Sequence, residues 1–258
     1  MRIVTLTVKE RKKPDISVEA EEIIPANFIR DDYNELKVWE GNREKKLNEF
    51  FDVAVTGDAE DACDVEIILK GETTGTIKRI GEYMEAGKIS VMGDIGMHCG
   101  NFMKGGLIEI SGNADGWLGR EMEGGKIICR KNVSHYCGAG YRGVKTGMKG
   151  GVLEVMGDAG DFCGECLAGG EIIIHGCAGD MAGVDMKGGT LRIYGDCHRP
   201  CGNMKDGKAI IYGKAYAMPP AFSKEGEEII DSKKFTVFSG DVANRGKGHL
   251  LVCSYEYY

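Results

Sequence analysis

The glycines in the middle of this chain recur at a fixed interval. Between positions 81 and 213 one phrase, G-x-x-M-x-x-G-x-I-x-V-x-G, is written seven times. Gly81, Met84, Gly87, Ile89, Val91 and Gly93 fill its slots first, and Gly100, Met103, Gly106, Ile108, Ile110 and Gly112 fill them again nineteen residues later. Further copies open at Gly119, Gly138, Gly164, Gly183 and Gly202. The fourth copy carries a seven-residue insertion, residues 139–145, and the last is one residue short. A period of this length dictates the fold, because each unit must find its core on a neighbouring copy.

Within each copy the apolar residues alternate with a period of two, as in Ile89-Ser90-Val91, which predicts strands and not helices. Double glycines at 105, 124, 150, 169 and 188 mark bends where positive φ is needed. The expected fold is all-β, a right-handed parallel β-helix of about seven turns rising by roughly 4.8 Å per turn. Residues 1–63 lack the repeat and are expected to cap its open edge. Residues 64–213 form the repeat region, and 214–258 a C-terminal extension opened by Pro219-Pro220. The cap region includes a polar stretch with Lys12, Lys13 and Pro14, and Tyr255, Tyr257 and Tyr258 read as a segment suited to partner contact.

Glycine, 40 of 258 residues, is near double its usual share of about 7 %. The repeats account for the excess. A net charge of −7 argues against nucleic acid or an anionic membrane as the main partner. No signal peptide or long apolar run is evident, so the chain is expected to be cytoplasmic with its ten cysteines reduced.

Those cysteines include Cys163-Gly164-Glu165-Cys166, whose spacing suits a metal or cluster but has no second pair. The repeat register offers a core role instead. Cys99, Leu118, Cys137, Cys163, Ala182 and Cys201 share one slot, and Cys197 shares another with Ala114, Val133, Ala159 and Ala178. His98, Trp117, Tyr136, Phe162, Met181 and Pro200 form a bulky column, and Met84, Met103, Met122, Met148, Leu167, Met186 and Met204 an apolar one. Asp94, Asn113, Asn132, Asp158, Cys177 and Asp196 follow the strand-ending glycine slot and are expected to bond backbone there. No phosphate-binding loop, dinucleotide fingerprint or nucleophilic triad is present. Catalytic, cofactor-binding and metal-binding residues are therefore all expected to be none in this chain. The insertion breaks the repeat without serving it, and reads either as a tolerated surface loop or as a binding face. Tyr141, Arg142 and Lys145 are the candidate partner-contact residues, Tyr and Arg being enriched at interface hot spots.

The seven-copy phrase, the lead-in Thr76-Ile77-Lys78-Arg79-Ile80-Gly81, and Tyr141-Arg142-Gly143 before Gly147-Met148-Lys149-Gly150-Gly151 resemble the C-subunit of formylmethanofuran dehydrogenase. Residues 36–51, with Gly41-Asn42-Arg43, are similar to that family's N-terminal region. The repeat also resembles the C-terminal GXGXG domain of the glutamate synthase large subunit. The first resemblance implies membership of a multi-subunit enzyme of methanogenic archaea that reduces carbon dioxide at a tungsto- or molybdopterin centre and forms formylmethanofuran at a dinuclear metal site. It implies a scaffold without a cofactor of its own, surrounded by a pterin-binding subunit, an amidohydrolase-like subunit and iron-sulfur clusters. Two alternatives stay open: the similar subunit of a bacterial formyltransferase/hydrolase complex, and a free-standing module like the glutamate synthase domain.

Overall fold

Residues 1–11 and 16–257 are described by a computed structural model of the chain. Lys12, Lys13, Pro14, Asp15 and Tyr258 lie outside the described residues. Three strands open the main sheet: β1 (Arg2–Val8), β5 (Phe51–Thr56) and β6 (Val65–Lys70). Between β1 and β5 come the short β2 (Val18–Glu19), β3 (Lys37–Glu40) and β4 (Arg43–Lys46), then a single helical turn, α1 (Leu47–Phe50). With β7 (Ile77–Lys78) the short strands form a separate four-stranded sheet in the order β4-β3-β2-β7.

The repeat copies supply β8 (Lys88–Met92), β9 (Leu107–Ile110), β10 (Lys126–Cys129), β11 (Val152–Val155), β12 (Glu171–Ile174) and β13 (Lys187–Ile193). Five strands follow: β14 (Cys197–His198), β15 (Asp206–Met218), β16 (Phe222–Ile230), β17 (Lys233–Gly240) and β18 (Gly248–Tyr257). The result is one 14-stranded sheet, ordered β16-β17-β18-β15-β13-β12-β11-β10-β9-β8-β6-β1-β5, with β14 beside β15.

This corrects the expectation of a right-handed parallel β-helix of about seven turns with a cap and an extension. The sheet is mixed: β5 pairs antiparallel with β1, and β16, β17 and β18 pair antiparallel in turn. Strands from outside the repeat continue its hydrogen-bond ladder on both sides, β6 pairing with β8 and β13 with β15. The repeat specifies which strands are neighbours; it carries no information about the hairpins that complete the edges.

The nineteen-residue interval is realised as register. Ile89 faces Ile108, which faces Ile127, and Ile127 faces Leu153 across the insertion. Each of β9 to β12 buries alternate residues, as the period of two requires. The Met84, Met103, Met122, Met148, Leu167, Met186 and Met204 column is fully buried, and Cys99, Leu118, Cys137, Cys163, Ala182 and Cys201 are at most 1 % exposed. Free cysteine behaves here as a small apolar filler.

The polar column bonds between copies. An oxygen of Asp94 accepts from the Asn113 N–H at 2.7 Å, Asn113 from Asn132 at 3.2 Å, and Asn132 from Asp158 at 2.9 Å. The side chain of each copy thus satisfies a backbone donor of the next. Gly-Gly pairs have a matching reason. Gly125 adopts φ +80°, open to glycine, while a Cβ at Gly124 would collide with the Lys104 carbonyl of the preceding copy. On the solvent side, charges pair across strands, Lys88 lying 3.2 Å from Glu66 and 3.1 Å from Glu109. Such exposed pairs contribute about 0–1 kcal/mol each.

Candidate partner-contact site

At one corner of each copy the backbone enters the left-handed region without glycine. His98, Trp117, Tyr136, Phe162 and Met181 have φ between 58° and 67°. Such residues cost about 1–2 kcal/mol apiece in backbone strain. Their rings offset part of it by stacking. His98 and Trp117 centroids are 5.3 Å apart, Trp117 and Tyr136 4.8 Å, Tyr136 and Phe162 5.1 Å, all within 24° of parallel. A second left-handed position in the next slots brings Tyr83 and Phe102 together at 4.9 Å. These two stacks form the wall on which the insertion lies.

The insertion turns sharply, the Val144 N–H donating to the Tyr141 carbonyl at 2.8 Å, with Gly143 at φ +84°. Ala139 is buried, and the Tyr141 N–H reaches a Glu121 carboxylate oxygen at 3.4 Å. The Tyr141 ring is folded back over the wall, 6.2 Å from His98 and 6.0 Å from Trp117, and 5.1 Å from the Arg120 guanidinium carbon.

Beneath Tyr141 lies a pit of about 250 Å³. Glu82, Asn101 and Arg120 line it, and they occupy one slot of three successive copies, each just after the opening glycine. Ala139, where the insertion begins, is the fourth member of that slot. Arg79 and Glu19 form the opposite wall. Arg79 donates to Glu82 at 2.5 Å, to Glu19 at 2.9 Å and to Glu21 at 3.3 Å, which ties the four-stranded sheet's flank to the repeat. These bonds, the one to Glu82 foremost, raise the guanidinium's already high pKa, so Arg79 stays charged.

The other half of the pit is under-satisfied. His98 Nδ1, Asn101 Oδ1 and Arg120 Nε in the lining, and Nε1 of Trp117 stacked on His98, are buried and lack a hydrogen-bond partner among the described residues. Asn101 is 1 % exposed. Burial, reinforced by Arg120, Arg79 and Lys78, pushes the His98 pKa down to about 4, so its ring is neutral at pH 7. Buried polar atoms without partners are rare in folded proteins, which singles out this corner of the repeat.

Of the sequence candidates, the structure brings Tyr141 into this cluster. Arg142 and Lys145 are exposed on the outer side of the turn and do not line the pit; the Lys145 carbonyl accepts a bond from the Lys187 side chain. Asn101 and Arg120 escape a reading by residue type. The signal that marks them is a polar run in one repeat slot ending at an insertion. Tyr255 packs edge-on against Phe238 at 5.1 Å, whereas Tyr257 is 49 % exposed. Cys163 is buried and Cys166 only 9 % exposed. Among the described residues no group of three or more His, Cys, Asp or Glu side chains is placed to hold a metal ion, and no helix is long and apolar enough to cross a membrane.

No family model matches the chain. It is 43 % identical over 251 residues to the C-subunit of the tungsten-containing formylmethanofuran dehydrogenase 2 of Methanococcus maripaludis, covering 95 % of this chain and 90 % of that one. It is 41 % identical over 91 residues to the C-subunit of the molybdenum-containing formylmethanofuran dehydrogenase 1 of Methanosarcina barkeri. To the C-subunit of the tungsten-containing formylmethanofuran dehydrogenase 2 of Methanothermobacter marburgensis it is 40 % identical over 104 residues. Those two matches span 34 % and 39 % of this chain, but only 30 % and 37 % of the relatives' lengths. Among solved structures, a chain in the X-ray crystal structure of the formyltransferase/hydrolase complex from Methylorubrum extorquens in complex with methylofuran superposes with a TM-score of 0.84. The two are 24 % identical, and the match covers 96 % of this chain and 98 % of that one.

Proposed function

This chain belongs to the C-subunit family of formylmethanofuran dehydrogenase, and from that premise we propose that it is a scaffold within such a complex, holding catalytic subunits in a fixed relation without an active site of its own. The observation that carries this is the likeness to a member of that family over nearly the whole length of both chains. The shared fold with a chain of the formyltransferase/hydrolase complex supports it at the level of architecture. A 14-stranded sheet whose copies are joined by side chain to backbone bonds is a stiff frame, suited to keeping two partners in register. On this reading the tungsten or molybdenum pterin, the iron-sulfur clusters and the dinuclear metal centre belong to the pterin-binding and amidohydrolase-like partners. Carbon dioxide reduction and formylmethanofuran formation are then activities of the whole complex.

Tyr141, Arg142 and Lys145 are the proposed contacts, and the exposure of the turn that carries them supports that role. The test is to purify the tagged chain from its native cells, identify the chains that accompany it, and repeat with Tyr141→Ala and Arg142→Ala combined. The reading expects a pterin-binding and an amidohydrolase-like chain with the wild type, and weaker retention of at least one with the variant while the chain remains folded. Retention of both partners at wild-type level would remove the insertion from the interface. A formyltransferase in place of the pterin-binding chain would favour the hydrolytic complex.

A further inference from the structure

Arg120 carries a nearly buried charge whose donors are poorly met. Its side chain is 14 % exposed, its guanidinium carbon lies 4.6 Å from the centre of the Phe102 ring and 5.1 Å from that of Tyr141, and it makes no side-chain hydrogen bond among the described residues. The nearest carboxylate, Glu121, is 3.9 Å from Nε, beyond hydrogen-bond distance, and accepts instead from the Tyr141 backbone. Ring contacts stabilise a guanidinium but supply no acceptor to its N–H donors, and Nε is buried without one. The carboxylates of Glu82, Glu19 and Glu21 are bonded by Arg79. Asn101, almost wholly buried, shares the lining, and the indole nitrogen of Trp117, whose ring stacks on His98, is a further buried donor without an acceptor.

We propose that this pit is a receptor for one carboxylate side chain of a partner subunit, which pairs with Arg120. The choice of occupant follows from chemistry and size. A guanidinium matches a carboxylate in a two-bond fork, and such a fork gives the buried Nε of Arg120 the acceptor it lacks. The cavity of about 250 Å³ falls below the roughly 300–1,000 Å³ of small-molecule sites and accommodates a single acidic side chain. Position argues for a macromolecular source, since the pit opens beside the exposed turn of the insertion, where Tyr141 and Val144 are 46 % and 43 % exposed. The inference rests on the proposed membership of a complex and names the group that one partner presents.

The test places an amine in the pit. In the intact complex carrying Arg120→Lys, a water-soluble carbodiimide activates a carboxylate seated there, and the introduced amine attacks it. An amide bond forms while the reagent leaves as its urea. Peptide mass spectrometry then identifies the linked residue. The proposal expects an Asp or Glu of a different chain, with no link at this position in the wild type, because a guanidinium does not couple. A link only to Glu19, Glu21, Glu82 or Glu121 of the same chain, or none in an assembled complex, would overturn it. Where that variant does not assemble, the wild-type protein serves. Phenylglyoxal is expected to modify Arg120 at least about tenfold faster in the isolated full chain than in the complex, and equal rates would overturn the proposal. A wild-type chain that co-purifies with no partner would instead bring down the scaffold reading, and the pit's assignment with it.

Discussion

Trp117 and Tyr136 stack face to face, their ring centres 4.8 Å apart and their planes 5° from parallel, although nineteen residues separate them in the chain. Both hold left-handed backbone, at φ 58° and 64°. Strain and stacking are thus coupled at one corner of successive copies. Removing the Trp117 ring also breaks its stack on His98, and each ring pair contributes about 0.5–1.5 kcal/mol beyond burial. Trp117→Ala is therefore expected to lose about 1–3 kcal/mol, read by denaturant unfolding. Wild-type stability would show that the column does not support the corner.

Two glycine substitutions separate crowding from backbone strain. At Gly124 an added Cβ collides with the rigid Lys104 carbonyl, so Gly124→Ala is expected to cost about 3 kcal/mol or more. Gly143 adopts φ +84° with nothing within 4 Å, and Gly143→Ala is expected to cost only the left-handed strain, about 1–2 kcal/mol. Thermal unfolding of the two variants checks the order.

Thiol labelling distinguishes core cysteines from reactive ones. Seven are buried, and burial pushes the Cys99 and Cys201 thiols up to about 12. Iodoacetamide on the native chain is expected to label Cys177 and Cys63, the latter slowed because Asp61 raises its pKa, with Cys253 partly labelled. The other seven should react only after unfolding. Native labelling at Cys163 or Cys166 would reopen the chemistry of that C-x-x-C segment.

His98 gives the chain an acid sensitivity of defined direction. Its folded pKa of about 4 lies below the ordinary 6.5, so between those values the unfolded chain binds more protons than the folded one. This residue therefore costs no stability above pH 6.5, lowers it progressively as pH falls towards 4, and adds no further loss below. His98→Gln is expected to narrow the difference in melting temperature between about pH 7.5 and pH 5. An unchanged difference would place the proton elsewhere.

Much of the ladder was legible in the chain. Ile89 and Val91 alternate because one strand face is buried, and the interval from Ile89 to Ile108 states their register directly. The Met and Cys columns followed from the same count. The global form was not legible. β1 and β5 alternate without belonging to the repeat, and nothing in a nineteen-residue period says that they extend the same sheet or that β16 and β17 fold against β18. Nor did residue type reveal the pit. Glu82, Asn101 and Arg120 look like ordinary surface residues until the insertion folds Tyr141 back over the slot they share.

Assembly is the most direct test of the scaffold reading. Size-exclusion chromatography with light scattering on native extract, tracking this chain, should find it in a particle far larger than its own 28.0 kDa, together with the catalytic subunits. A lone species near 28.0 kDa, with no larger form at any salt concentration, would contradict it.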